Sequence, residues 1–260
     1  RDTLDQELLP AQESAFVVAF EPLLDKWATL VARNSKQDKR SPLGFHHERG
    51  IALPFAVSPT AQQTADGFAT LKLFGKIDGC ASLLDAAADN YYSRECATKG
   101  RLVDERTIPT LTLERLLAPG GLLGGRDVAL AKVDAQGLDV AVVQSAGAHA
   151  RRIKAVQLEV VNDAERCTPT YATPGNPLQA KCTHVERAMH ALGLLPLGTN
   201  CSVLAYGEAN GCEAQMTFVR PGEYAVALVG AFCRAQRSCD TQSWSRKALA
   251  VHWTRRWTEE

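Results

Sequence analysis

The sequence has no excess of charge of either sign. Its 260 residues contain 29 lysines and arginines and 29 aspartates and glutamates, so the formal net charge at pH 7 is zero. A chain without a net field does not gather nucleic acid or an anionic membrane surface by long-range attraction. We therefore expect the partner to be a small or neutral molecule, and we expect no nucleic acid.

The sequence also lacks any apolar run that approaches the roughly 18 residues needed to cross a bilayer. Apolar residues make up 45% of the chain and charged residues 22%, which is typical of a globular protein. The length suits one α/β domain. The sequence thus predicts no membrane span and one domain over residues 1–260, with a cysteine-rich part at 162–260, and it leaves the oligomeric state open.

The cysteines of the sequence are not spaced as the ligands of a metal site usually are. The eight cysteines form no C-x-x-C pair, and Cys182-x-His184 alone is a poor start for a tetrahedral zinc site, so we predict no metal. Clustering towards the end of the chain instead favours disulfides formed in an oxidising compartment. The Asn200-Cys201-Ser202 match to the N-glycosylation pattern agrees, and both features favour the secretory pathway or the extracellular space over the cytoplasm. The clustered cysteines are Cys167, Cys182, Cys201, Cys212, Cys233 and Cys239.

The first fourteen residues have no initiator methionine, no apolar leader and no glycine-rich turn. We therefore expect the sequence to be a fragment whose first strand and glycine loop precede residue 1.

Short apolar runs alternate with helical spacing along much of the chain. Residues 16–20 predict a buried strand and residues 23–31 a helix. Such alternation implies parallel pairing, because each crossover needs a helix to return the chain to the same edge. We predict a doubly wound, mostly parallel sheet, with an antiparallel end formed by two strands within 201–220. Further strands are predicted at 51–57, 68–74, 128–133 and 153–161, an edge strand with Pro109 at 107–111, and a helix at 178–195.

Carboxylates that close apolar strands are the first candidates for a site, since ligands of open α/β sheets sit beyond the carboxyl ends of strands. Glu21 could accept the hydroxyl protons of a ribose, or it could stabilise a helix N-terminus. Asp134 could bind ligand or transfer a proton, or it could cap the helix that begins near Gly137. Glu159 is a charged residue in an apolar strand, so it either lines the site or faces water.

Other polar residues carry weaker signals. His46-His47 could supply a general base on a polar loop, although a solvated loop fits as well. Ser82 has no histidine and aspartate partners that would make it a nucleophile. The segment from Trp244 to Trp257 could stack on a ligand through its aromatic and basic side chains, or form a solvated terminal helix.

Six short motifs follow one another between residues 16 and 161. They are Val18-Ala-Phe-Glu-Pro22, Ala56-Val-Ser58, Cys80-Ala-Ser-Leu83, Thr112-Leu-Glu114, Lys132-Val-Asp-Ala-Gln-Gly-Leu-Asp139 and Gln157-Leu-Glu-Val160. In order and spacing they resemble those of the FkbM-type methyltransferases. The resemblance implies the class I methyltransferase fold (Rossmann-like), S-adenosylmethionine as the methyl donor, and methylation of a hydroxyl on a sugar or another small metabolite.

By this resemblance Glu21 holds the ribose of the cofactor, and Ser58 and Ser82 lie in loops beside it. Asp134 lies at the fourth-strand edge of the active site by the same resemblance. Our hypothesis is that Asp134 or a histidine takes the proton of the acceptor hydroxyl, directly or through water. The chain departs from the family at Gln136 and Asp139, where the family usually has glutamates.

Two other classes of function fit the sequence. A catalytically silent, secreted binding module would explain the cysteines and the departures from the family pattern. Another enzyme with a nucleotide cofactor, such as an NAD-dependent oxidoreductase, could share the glutamate that closes the first strand.

Overall fold

The computed structural model describes residues 16–32, 50–59, 66–74, 80–86, 102–172, 180–197, 200–202, 204 and 212–221. The chain divides into two compact units, residues 1–56 with 222–260, and residues 57–221. The expectation of a single domain over residues 1–260 stays a prediction. No helix within the described ranges is long and apolar enough to cross a membrane.

The first unit contains a strand–helix–strand arrangement. Strands β1 (Val17–Phe20) and β2 (Gly50–Leu53) pair in parallel. Helix α1 (Leu24–Ala32) lies between them in the sequence, and the Trp27 indole Nε1–H donates to the carbonyl oxygen of Ala52 at 2.9 Å. The predicted first strand and first helix are confirmed.

The second unit contains two four-stranded sheets and a two-stranded pair. The first sheet has the order β3-β7-β4-β5, and β4 pairs antiparallel with both β7 and β5. In the small pair, β10 runs antiparallel to β6. The strands are β3 (Ala56–Val57), β4 (Phe68–Phe74), β5 (Ala81–Ser82), β6 (Asp85–Ala86), β7 (Leu102–Leu111), and β10 (Tyr171–Ala172), where the division between the units falls inside β3.

The second sheet positions the candidate site. Its order is β11-β12-β9-β8, with β8 and β9 parallel and both neighbours of β12 antiparallel to it. Its strands are β8 (Ala131–Val133), β9 (Ala155–Val161), β11 (Leu195–Pro196) and β12 (Glu213–Val219). The helices of this unit are α2 (Leu113–Leu117), α3 (Asp139–Gln144), a 3₁₀ helix (Gly147–Arg152) and α4 (Cys182–Ala191).

The predicted doubly wound, mostly parallel sheet is wrong. The described strands form several small sheets, in which β1–β2 and β8–β9 pair in parallel, whereas β4, β10 and β12 pair antiparallel with their neighbours. Apolar runs show where strands are, but pairing direction depends on contacts between distant segments, which a local pattern does not contain. The strand with Pro109 is also not at an edge, because β7 lies between β3 and β4.

The predicted pair of strands within 201–220 is not found, because only β12 falls within that range among the described residues. β12 pairs antiparallel with β9 and with β11, and β11 begins at Leu195, the last residue of the predicted helix. Helix α4 stops at Ala191 because Gly193 adopts a φ of 73°, a left-handed conformation that glycine tolerates and that commonly ends helices.

The second sheet buries one face in the main hydrophobic core. Alternate residues of β9 and β12 point into it, and helices α3 and α4 cover them. Cys167–Cys212 and Cys182–Cys201 form disulfides, which confirms the predicted use of cysteine and favours an oxidising compartment. The strand residues of this apolar face are Val156, Leu158, Val160, Ala214, Met216 and Phe218, each at most 6% exposed.

Arg220 lies directly after β12 and binds backbone carbonyl groups of the segments beside this end of the sheet. Its guanidinium donates to the carbonyl oxygens of Ala150, Ile153 and Leu192 at 3.0, 3.2 and 2.9 Å. One side chain therefore satisfies carbonyl groups at the ends of the 3₁₀ helix and of α4, where backbone acceptors lack partners within the helix.

Candidate functional site

The second face of the same sheet carries five polar side chains although it is largely buried. These are Gln157 and Glu159 on β9 and Glu213, Gln215 and Thr217 on β12, and they lie between the apolar residues Ala155, Val161 and Val219 of the same face. Gln215 lies directly opposite Glu159, and Thr217 lies opposite Gln157. Cross-strand partners on one face are about 5 Å apart at Cβ, so these side chains share one surface.

Glu159 lies at the centre of a group of four carboxyl groups, which we call the carboxyl cluster: Asp134, Asp139, Glu159 and Glu213. Burial, then the charge of Glu213 and a hydrogen bond with it, raise the pKa of Glu159 to about 9. The charges of Asp134 and Asp139 act in the same direction. Glu159 is therefore protonated at neutral pH and can share its proton with Glu213.

Asp139 is the second carboxyl group with a strongly shifted pKa. It begins α3, is 8% exposed, and burial together with the charge of Asp134 raises its pKa to about 7. Its Oδ2 accepts a hydrogen bond from the Ala135 backbone N–H at 3.3 Å, whereas Oδ1 is buried without a hydrogen-bond partner in the described part of the chain. Asp139 can therefore take up or release a proton near neutral pH.

Asp134 lies just after β8 and is exposed. Its Oδ1 accepts a hydrogen bond from the Gln136 side-chain Nε2 at 2.8 Å. The chain then turns sharply, with φ values of 48° at Gln136 and 93° at Gly137. Asp134 is thus the carboxylate of the cluster that meets solvent, while Asp139, five residues later, is carried inward by the turn.

Tyr171 closes this turn from the other side. A Cβ atom at Gly137 would come within 2.8 Å of Tyr171 Cβ, so the tight contact requires glycine in addition to the positive φ. The Tyr171 ring is 5% exposed, and its hydroxyl group has no hydrogen-bond partner in the described part of the chain. Burial, then the charges of Glu159 and Glu213, raise the pKa of Tyr171, which places its hydroxyl near these two carboxyls as a neutral donor.

Ser82, predicted to lie near the cofactor, contacts the Asp134 loop. Its hydroxyl donates to the carbonyl oxygen of Gln136 at 2.8 Å and accepts from the Leu84 backbone N–H at 3.0 Å. The structure therefore brings Ser82 and the turn after Asp134 together across 54 residues of sequence.

Ser58 is fully buried at the end of β7. Its backbone N–H donates to the carbonyl oxygen of Leu111 at 2.9 Å, and its hydroxyl donates to that of Pro59 at 3.2 Å. These two hydrogen bonds fix the connection between Ser58 and the end of β7.

Glu21 lies in the first unit, at the carboxyl end of β1. Its backbone N–H donates to the carbonyl oxygen of Leu53 at 3.0 Å, and its Oε1 accepts from the Leu23 backbone N–H at 2.9 Å. The carboxylate therefore satisfies a backbone donor at the start of α1, which is the stabilising role that the sequence left open for it.

Sequence reasoning identified Asp134 and Glu159 but missed Asp139 as a titrating group, and it missed Glu213 and Tyr171 altogether. Glu213 could have been found, because the alternation of polar and apolar residues in 213–219 predicts a strand with a polar face. Tyr171 had no such signal, because its contact with Gly137 exists only in the folded chain. The predicted base His46-His47 and the segment 244–257 lie outside the described residues.

Comparisons with known proteins do not show a family for the chain, and the described residues do not show a group of possible metal ligands. No protein-family model matches it, and neither the curated proteins nor the solved structures contain a significant match. Within the described ranges no three or more histidine, cysteine, aspartate or glutamate side chains are arranged to hold a metal ion. The resemblance to the FkbM-type methyltransferases therefore stays a prediction.

Proposed function

We propose that this protein is an S-adenosylmethionine-dependent methyltransferase that transfers the methyl group to a hydroxyl of a small molecule or glycan. The observation that carries the proposal is the buried Asp139, with a pKa of about 7, beside Asp134 at the carboxyl end of a parallel strand. Such strand ends are where α/β proteins bind ligands, and groups with shifted pKa values there are candidates for proton transfer.

The chemistry asks little of the protein beyond alignment and the removal of one proton. S-adenosylmethionine supplies a methyl group on a positively charged sulfur, which the hydroxyl oxygen attacks in line while the carbon–sulfur bond breaks. Asp139 accepts the hydroxyl proton through Oδ1, the oxygen without a partner in the described residues. Burial, together with the charge of Asp134, keeps the pKa of Asp139 at about 7, where it can accept and release a proton.

The remaining cluster suits a cationic group better than an anionic one. Glu159 and Glu213 lie next to each other and share a hydrogen bond, so a positive charge nearby would favour loss of the proton from Glu159. A sulfonium is such a charge, and the product thioether is not. The carboxyl cluster therefore supports binding of the methyl donor more strongly than binding of the demethylated product.

The serine residues and Glu21 take supporting roles in this proposal. Ser82 holds the turn after Asp134 through the Gln136 carbonyl group, and Ser58 fixes the loop at the end of β7. For Glu21, in the first unit, the resemblance implies contact with the ribose hydroxyls, and its carboxylate is fixed at the start of α1 by the Leu23 backbone N–H.

The test is calorimetric titration of S-adenosylmethionine into the full-length protein, beside Glu21→Ala, Glu21→Gln and Asp139→Asn. Glu21→Gln keeps an oxygen for the Leu23 N–H but removes the charge, so it separates ribose binding from support of α1. Asp104→Asn, an aspartate about half exposed in β7, is the matched control.

We expect binding by the wild type and the Asp104 variant, weaker binding by both Glu21 variants, and loss of turnover with retained binding for Asp139→Asn. A folded protein that binds no methyl donor would contradict the proposal and favour a silent binding module. Titration with a nicotinamide dinucleotide in the same series would reveal an oxidoreductase instead.

A further inference from the structure

The only asparagine of the chain in an N-x-Ser/Thr triplet is Asn200, followed by Cys201 and Ser202. This triplet is the acceptor pattern for N-linked glycans in proteins that enter the secretory pathway. The disulfides Cys167–Cys212 and Cys182–Cys201 independently favour such a compartment. The pattern and the redox chemistry of the chain therefore point the same way.

The local geometry presents this triplet at the surface. Asn200 and Ser202 are both exposed. The Ser202 hydroxyl donates to Asn200 Oδ1 at 2.6 Å, and the Ser202 backbone N–H donates to the same oxygen at 3.1 Å. These two hydrogen bonds hold Asn200 Oδ1 against the turn formed by residues 200–202. The side-chain nitrogen Nδ2 lies on the opposite side of the amide group.

We propose that Asn200 carries an N-linked glycan, and that the glycan is attached before the Cys182–Cys201 disulfide closes. In the transfer, a bond forms between Asn200 Nδ2 and C1 of the first sugar of a polyprenyl-diphosphate-linked oligosaccharide. The C1–oxygen bond to the diphosphate breaks, the polyprenyl diphosphate leaves with the bonding electrons, and a proton leaves Nδ2. No oxidant or reductant is required.

The order of events follows from the position of Cys201 inside the triplet. Its disulfide fastens the middle residue of the acceptor to Cys182, which is fully buried at the start of α4. A transferase must draw the acceptor segment into its own site, and a segment tied to a buried helix end has lost the freedom to follow. The disulfide and the transfer therefore compete for the same three residues.

The test is expression of the full-length chain in a eukaryotic secretory host, followed by peptide:N-glycosidase treatment and mass analysis of the peptide that contains residue 200. The variants are Asn200→Gln, Ser202→Ala, Ser202→Thr and Cys182→Ser. Asn34→Gln is the matched control, because Asn34 has no hydroxyl residue two positions later. The chain retained in the secretory pathway is analysed together with the secreted chain, so a variant that fails to fold still gives a reading.

We expect a glycan on the wild type and on Asn34→Gln and Ser202→Thr, and none on Asn200→Gln or Ser202→Ala. Occupancy should rise in Cys182→Ser and when a mild reductant is present during synthesis. An unmodified Asn200 in a disulfide-bonded wild type would overturn the site. The proposed order would be overturned if the wild type and Cys182→Ser showed equal glycan occupancy at Asn200 under conditions in which the wild type is only partly modified.

Discussion

The two faces of the β11-β12-β9-β8 sheet are built from alternate residues of the same strands, yet they differ completely in chemistry. One face places Leu158 and Phe218, both fully buried, in the main core. The other places Glu159 and Glu213 side by side, with a raised pKa for Glu159. Because successive side chains of a strand alternate between faces, two neighbouring residues can serve stability and chemistry separately.

The difference between the two faces shows which one stabilises the folded state and which one lowers its stability. Burial of apolar surface on the first face stabilises the fold by roughly 25 cal/mol per Å². Burial of carboxyl groups on the second face costs free energy unless they are protonated or hydrogen-bonded. A polar face that is retained at such a cost is typical of a functional site.

The largest effect should come from the apolar face. Phe218→Ala leaves a cavity in the core and should lower the free energy of unfolding by about 3–5 kcal/mol. Gln215→Met, on the polar face of the same strand, should change it by less than about 1 kcal/mol, because the Gln215 amide oxygen is buried without a partner in the described residues. Urea unfolding with intact disulfides measures both, and equal losses would show that the two faces do not differ as described.

The polar face should make stability depend on pH. Asp139 has a folded pKa of about 7 against an ordinary value of 3.8, so it favours the folded state below about pH 4 and this advantage is lost as pH rises through about 7. At about 1.4 kcal/mol per pKa unit, the loss is up to about 4 kcal/mol. Glu159 extends the loss towards about pH 9.

The corresponding variants should flatten this profile. Asp139→Asn should reduce the loss of stability between about pH 4 and 7, and Glu159→Gln should reduce it from about pH 4.5 to about pH 9. The exposed Asp104→Asn serves as the control and should retain the slope. A wild-type profile in which thermal stability rises steadily over this range would contradict the assignment.

The turn between β8 and α3 should respond more moderately. Gly137→Ala forces alanine to a φ of 93° and a contact of 2.8 Å with Tyr171, so we expect a loss of about 1–3 kcal/mol. Gly124→Ala has a φ of 55° and no atom within 4 Å of the new Cβ, so it measures backbone strain alone. Comparable losses in calorimetric unfolding would mean that the Tyr171 contact contributes nothing.

The smallest effect on stability is expected for Tyr171→Phe. Its hydroxyl group has no partner in the described residues, so its removal should leave the free energy of unfolding within about 1 kcal/mol or raise it. The same change should weaken binding of the acceptor if the hydroxyl faces a ligand beside Glu159. A large loss of stability would show that the hydroxyl has a structural role.

The sequence was informative where the signal is local. The strand at 17–20, the helix after it and the strand at 155–161 follow from apolar spacing, and a charge in an apolar strand drew attention to Glu159. Glu21 was also found from its place at the end of a strand. Sequence spacing could not decide between ligand binding and stabilisation of α1, and the structure shows a contact at the start of α1.

The remainder depends on contacts between distant segments. Glu159 and Glu213 are 54 residues apart and meet only because β9 pairs with β12. The antiparallel pairing of β4 with β7 overturned the predicted sheet for the same reason. The pKa of Asp139 could not be predicted either, since it is set mainly by burial, and burial is a property of the folded chain.

The position of β12 has a consequence for synthesis of the chain. It is the last described strand, at Glu213–Val219, yet it lies between β9 and β11 in the sheet. A nascent chain that has reached residue 212 has made both neighbours but not the strand that joins them, nor the arginine that secures the helix ends. Until then Leu158 and its apolar neighbours have no β12 partner, and this interval is when the chain is most exposed to aggregation and to chaperones.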